Sequence, residues 1–231
     1  KLPSFNAQAL ANSLWALAKL EHHPGEDILA AMLEETRAKL PSSNAQELAN
    51  SMWALAKLEH HPGEGILAAM LEETRAKLPS FNAQNLANSL WALAKLQHHP
   101  GEELLVAMLE ESRVNLPISN SRSLSDVLWA SASLGYKPPP DFLKAVLEKM
   151  QNKIPSLGAH NLARVLWACA WFHVNGRQIG DQFLAMLFEQ MRRHLHRFSA
   201  RDLADASWAC QELRFTAGVE LCANAAQHTK A

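Results

Sequence analysis

KLPSFNAQALANSLWALAKLEHHPGEDILAAMLEETRA, residues 1–38, returns almost letter for letter as KLPSSNAQELANSMWALAKLEHHPGEGILAAMLEETRA at 39–76 and as KLPSFNAQNLANSLWALAKLQHHPGEELLVAMLEESRV at 77–114. Tryptophan marks the period. It stands at 15, 53, 91, 129 and 167, at intervals of 38, and again at 208 after an interval of 41. Three more units follow, 115–152, 153–193 and 194–231, the fifth carrying three extra residues. Self-similarity at such a period is the mark of stacked repeats and outranks a domain count based on chain length. One array over residues 1–231 is expected.

Each unit reads as two helices. Asn6 is suited to cap the first, since its side chain can accept from orphan amides of the opening turn. Asn44 and Ser199 hold the same position, and Asn44 with Glu47 fits a capping box. Leu10, Leu14, Trp15 and Leu17 form an apolar stripe at helical spacing. This helix A is expected to end near His22-His23, before Pro24-Gly25. Helix B is expected from about Gly25 to Arg37, with Ile28, Leu29, Met32 and Leu33 on its core face. Glu26 and Asp27 suit the positive end of its dipole and Arg37 the negative end. With no period-2 alternation, no strands are predicted. A single hairpin cannot bury its own apolar face, so the predicted fold is all-α: a solenoid superhelix of six stacked two-helix repeats, right-handed by analogy with other such arrays.

Bulk composition narrows the classes. Hydrophobic residues make up 48% of the chain, enough for a continuous core. The three cysteines form no CxxC pair, and Cys169 and Cys210 fall where earlier units carry Leu17, Leu55 and Leu93, so they read as small core residues of a reducing compartment. No apolar run is long enough to span a membrane, and no membrane partner is expected. A net charge of −1 argues against a generally basic nucleic-acid binder. The charge is divided, however: in unit 1, Lys1, Lys19 and Glu21 go with helix A, and Glu26, Asp27, Glu34, Glu35 and Arg37 with helix B. An acidic outer face and a mildly basic inner one are expected, a polarity suited to a polyanion in a groove. The chain opens on Lys1 at a repeat boundary and reads as an excised or processed piece. Unit 1 lacks the atypical composition of a capping repeat, so further repeats are expected ahead of it. Ala225 and Ala226, in place of Met32 and Leu33, read as a C-terminal cap.

Where near-identical units differ, the difference is informative. Position 9 reads Ala9, Glu47, Asn85, Ser123, Asn161 and Asp202. Such variation fits either a position that reads one partner element per unit or a solvent position under no constraint. Position 12, one turn on, reads Asn12, Asn50, Asn88, Asp126, Arg164 and Asp205. Position 8 reads Gln8, Gln46, Gln84, Arg122, His160 and Arg201. Amide, carboxylate and guanidinium groups read base edges by paired hydrogen bonds. Alanine throughout position 16 leaves room for something to lie against the helix. Lys19, Lys57 and Lys95 end the stripe and suit phosphates. In the fifth unit the site becomes Trp171, which suits stacking on a base or packing on the Asn175-Gly176-Arg177 insertion. The ladder tryptophans read as core pins between units, their indole N–H groups bonded locally.

His22-His23, His60-His61 and His98-His99 invite a metal reading. Neighbours on a helix diverge by about 100° and equivalent sites in stacked units lie about 10 Å apart, so no close ligand set is expected. They read instead as helix C-terminal groups bonding to free carbonyls. There is no Gly-rich phosphate loop, no Ser/His/Asp set and no unique polar cluster. Each polar feature recurs once per unit, which suits a ruler and not an active centre. Neither an enzyme nor a cofactor, metal or small-molecule substrate is expected.

The unit LPSFNAQ-LANSLWALAKLEHHPGE resembles the octotricopeptide repeat of green algae and related lineages, closely over 1–114 and more weakly over 115–231. Pro138-Pro139-Pro140 matches the proline-rich stretch typical of that family. The resemblance implies an organellar protein, of chloroplast or mitochondrion, that binds single-stranded RNA sequence-specifically and acts in transcript stabilisation, processing or translation. About one nucleotide per repeat is implied, and RNA-metabolism or ribosomal proteins are possible partners. Many members end in a RAP domain; none is read in residues 1–231. The alternatives are a protein-binding scaffold and a structural subunit clamping rRNA in an organellar ribosome. Unit 5, with its insertion and Trp171, and unit 6, with His196 in place of Pro3, depart from the pattern.

Overall fold

The computed structural model describes residues 4–215, Gly218 and Val219. Ala225, Ala226 and Lys1 lie outside them, and with them the expected C-terminal cap. The chain divides into two compact units, Lys1–Ile118 and Ser119–Ala231. Eleven α-helices and no strands are found among the described residues.

In the first unit the A helices are α1 (Ala7–Lys19), α3 (Ala45–Lys57) and α5 (Ala83–Lys95), and the B helices are α2 (Glu26–Lys39), α4 (Glu64–Lys77) and α6 (Glu102–Val114). Short 3-10 turns, Leu40–Ser42, Leu78–Ser80 and Leu116–Ile118, lead out of each B helix. In the second, α7 (Ser121–Ser133), α9 (Ala159–Val174) and α11 (Ala200–Glu212) are A helices, with α8 (Pro140–Gln151) and α10 (Asp181–His194) as B helices. Within each unit the A helices pack on their B helices, α1 on α2, α3 on α4 and α5 on α6 in the first and α7 on α8 and α9 on α10 in the second, and more intimately on one another: α3 lies between α1 and α5, and α9 between α7 and α11. This is the packing of stacked hairpins in an α-solenoid.

Small residues make the A row close. Ala49, Ala54 and Ala56 of α3 are fully buried, as are Ala168 and Ala170 of α9. At position 16, Ala54, Ala92, Ala168 and Ala209 are buried and make room for the neighbouring A helix, whereas Ala16 of α1 is exposed. Leu14, Leu55, Leu93 and Cys169 fill the layer beneath. Burial pushes the Cys169 thiol up to about 12, which makes it an inert core residue. Ile28 differs from the expected core face: it is 52% exposed, whereas its equivalent Ile66 is buried, because α2 is flanked by a B helix on one side only.

The A helices start as the caps require. Asn6, Asn44, Asn82 and Asn120 each accept an amide of the first turn through the side chain, and Ser199 does so in α11. Their ends fall earlier than expected. α1 stops at Lys19 because Glu21 takes a left-handed conformation, φ 51°, so that Glu21 N–H bonds to the Ala18 carbonyl and His22 N–H to that of Leu17. That is a Schellman closure, and the histidines lie beyond the helix. Glu59 and Gln97 repeat it, while Gly135 and Gly176 supply the residue that suits the conformation best. Gln97→Gly is expected to raise the unfolding free energy by about 0.5–1 kcal/mol, since the side chain adds left-handed strain and makes no ion pair there. Urea denaturation followed by far-UV circular dichroism measures it, and an unchanged or lower midpoint contradicts it.

The three extra residues of the fifth repeat do not form a bulged loop. They lengthen α9 to 16 residues against 13 for α7, carrying the Schellman glycine on to Gly176. Arg177 then reaches back, its Nε donating to the Pro138 carbonyl at 2.9 Å. No helix of the described residues is long and apolar enough to cross a membrane.

Candidate nucleic-acid interface

Positions 8, 12, 15 and 19 share one face of an A helix, being 4, 3 and 4 residues apart. Adjacent A helices set these faces side by side, so each unit carries a polar and aromatic track across its repeats. Gln8, Gln46 and Gln84 are exposed along it in the first unit, and Arg122, His160 and Arg201 in the second. Position 12 lies deeper: Asn12 is exposed, Asn50 half-buried, and Asn88 and Asp126 buried.

Position 9 has a local duty in two repeats. Glu47 completes the capping box of α3, its carboxylate accepting Asn44 N–H at 2.9 Å. Asp202 does the same for Ser199 in α11. Asn85 and Ser123 are buried, while Ala9 and Asn161 are half-buried. Position 8 is thus the outermost of the three polar positions.

Charge pairs cross from repeat to repeat in the second unit. Arg164 Nη1 donates to Asp126 Oδ1 at 3.0 Å and its guanidinium lies 4.2 Å from the Trp129 ring centre. Arg122 approaches the other carboxylate oxygen of Asp126 at 3.6 Å. His160 Nδ1 is 2.7 Å from Asp202 Oδ1. Burial raises the Asp126 carboxyl above its ordinary value against the pull of Arg164 and Arg122. Burial also lowers Arg164, opposed by Asp126. For Asp202 burial pushes upward, but hydrogen bonds from His160 and Ser199 outweigh it and the carboxyl sits below its usual range. Asp205, half-buried, is raised by burial.

The lysines of position 19 are engaged. Lys57 Nζ is 2.7 Å from Glu21 and Lys95 Nζ 2.7 Å from Glu59, each pairing with the previous repeat. Lys57 holds Glu21 below the usual carboxylate range, through its hydrogen bond first and its charge second. Lys19 instead lies over Trp15 and Trp53, 5.4 and 5.3 Å from their ring centres. These exposed pairs are weak and can exchange for a phosphate. Trp171 is half-buried within α9, its ring edge-on to Phe172 at 5.5 Å.

The tryptophan ladder requires a correction. Only Trp53 is buried; Trp15 is 41% exposed, and Trp91, Trp129, Trp167 and Trp208 are half-buried. Their rings pack on one another across repeats, 6.1 Å apart for Trp53 and Trp91 and 5.8 Å for Trp167 and Trp208. They stand between positions 12 and 19 on the same face, and their ring-to-ring contacts set the spacing of the A row. The i+3 and i+4 offsets from positions 12 and 19 were the available signal.

The histidines also differ from expectation. His23 Nδ1 accepts Gly25 N–H at 3.2 Å, and His61 and His99 do the same for Gly63 and Gly101. They serve the start of helix B and not the carbonyls of helix A. Glycine is needed at Gly25, Gly63 and Gly101, where φ lies between 86° and 94°.

No curated protein matches the chain. A family model does, that of the Tbc2 translation factor, N-terminal domain, over residues 1–136 and again over 108–229.

Proposed function

Because the chain belongs to the family of the Tbc2 translation factor N-terminal domain, we propose that it is an organellar, sequence-specific single-stranded RNA-binding protein that controls translation, stability or processing of a transcript. The repeats are read as octotricopeptide repeats. The observation that carries this reading is the track of positions 8, 12, 15 and 19, exposed at position 8 in every described repeat, where hydrogen-bonding side chains vary from repeat to repeat beside tryptophans that are, Trp53 apart, half-buried or exposed. Variable amides and guanidinium groups suit base edges, while indole edges and faces suit stacking. No step of covalent chemistry is assigned to the chain, nor any cofactor.

Selection from a random RNA pool, followed by affinity against salt, tests it. With about three to five phosphate contacts the log–log slope should be about −2 to −3.5. Gln46→Arg, on an exposed position outside the capping box, should change the preferred base at one position of the selected sequence. Absence of RNA binding at low salt, or uniform weakening by Gln46→Arg across all sequences, would refute the reading. A second reading, a scaffold for an extended peptide or a ribosomal partner, is favoured by one observation: Lys57 and Lys95 are already neutralised by Glu21 and Glu59. It requires salt-insensitive capture of one protein and no RNA selection.

A further inference from the structure

The segments between helices A and B bring together donors that the repeat keeps at different positions. In the first repeat, His23 Nε2 lies 3.4 Å from Glu26 Oε1, and His60 Nδ1 of the second repeat lies 3.7 Å from Glu26 Oε2. One repeat later the set recurs: His61 Nε2 is 3.6 Å from Glu64 Oε1 and His98 Nδ1 is 3.8 Å from Glu64 Oε2. Within each set, one nitrogen from each histidine and one carboxylate oxygen all lie within 4.8 Å of one another. Sequence spacing concealed this, because the ligands are not the adjacent pair of one unit nor equivalent residues of two units. They are position 23 of one repeat and position 22 of the next, bridged by the glutamate at position 26.

We propose that His23–Glu26–His60 and His61–Glu64–His98 are two zinc-class divalent-metal sites, each tying one repeat to the next. Two imidazoles and a carboxylate form a borderline N/O donor set, with the fourth tetrahedral position left to water. Bonds of about 2.0–2.1 Å in a tetrahedron place ligand atoms roughly 3.3–3.4 Å apart. The His–Glu separations of 3.4–3.8 Å, within sets whose three ligand atoms all lie inside 4.8 Å, reach that by side-chain rotation of the exposed groups. Glu26 and Glu64 are exposed and free to make them, whereas His60 and His98 are half-buried and held in place. Only one existing contact must yield. While His23 Nδ1 accepts Gly25 N–H, the ring proton sits on Nε2. A metal on Nε2 moves that proton to Nδ1, and water takes over the exposed Gly25 amide. The third repeat supplies His99 and Glu102, but the fourth carries Tyr136 where His60 and His98 stand, so its sequence does not complete a third set.

The inference is independent of RNA binding, and its test uses the full chain, freed of metal with a chelator. Zinc titration by calorimetry should give two sites per chain, and cobalt(II) should give the visible absorption of a tetrahedral nitrogen–oxygen site. His60→Gln and His98→Gln should each abolish one site or weaken it by at least about tenfold. Glu26→Gln and Glu64→Gln, which leave both histidines and the helix start in place, should do the same. His99→Gln, outside both sets, should keep two. No zinc heat and no cobalt band up to millimolar metal would overturn the proposal. So would a His60→Gln/His98→Gln chain that binds metal as the unaltered chain does, which would mean scattered surface histidines only.

Discussion

Trp53→Ala should lower the unfolding free energy by about 3–5 kcal/mol, the range for truncating a buried large aromatic. Trp53 is 7% exposed, packs at a tilt on Trp91 and has Lys19 over its ring. Alanine in its place opens a gap in the A row between α1 and α5, where the flanking alanines leave little that can collapse inward. The aromatic pair contributes roughly 0.5–1.5 kcal/mol of the total. Trp91→Ala should therefore cost less by about that amount in the Trp53→Ala background than alone. Trp15→Ala is the comparison that separates burial from residue type: with 41% of its surface exposed, Trp15 has less to lose and should cost half as much or less. Urea denaturation followed by far-UV circular dichroism suits the measurement, because seven tryptophans complicate fluorescence. Equal losses for Trp15→Ala and Trp53→Ala would mean that the ladder does not set the spacing of the repeats.

Much of this was legible in the sequence, and the limits have a common cause. A period identifies equivalent residues. It thereby located the caps at Asn6 and Asn44, the apolar stripe through Leu14, and the variable face at Gln46 and Asn50. It does not say which position of one repeat touches which position of the next. Trp53 reads as core along its own helix, yet its equivalents are half-exposed because each indole leans on the next repeat at the edge of the row. By sequence His60 pairs with His61 and with His98, but its near neighbours in space are His23 and Glu26. Likewise Asp126, read as a base-contacting carboxylate, is buried against Arg164 of the following repeat. The end of helix A was misplaced for a local reason: Glu21, a residue that rarely adopts positive φ, does so here.

Arg164→Met should cost about 3–5 kcal/mol, because it leaves a buried carboxylate without its main partner. The side chains of Arg164 and Asp126 are only 12% and 5% exposed. Arg122, largely in solvent and 3.6 Å away, cannot replace the 3.0 Å bond. The second substitution should repair the first: Asp126→Leu with Arg164→Met removes both charges, fills similar volume and should recover most of the loss, since a buried ion pair and a packed apolar pair are of comparable stability. The pH dependence separates charge from packing. Asp126 is held above its ordinary value by burial, with Arg164 the largest opposing pull, so losing Arg164 raises the carboxyl further. A carboxyl raised in the folded state favours folding at pH below its unfolded value and loses that contribution as the pH rises through the folded one. The deficit of Arg164→Met should accordingly be full near neutrality and shrink as the pH falls towards and below 3.8, the ordinary value of the carboxyl, because protonation removes the charge that Arg164 offsets. A deficit constant with pH would assign the loss to the guanidinium stacked on Trp129. The polar track would then be held together here by packing, with Asp126 free to serve a ligand.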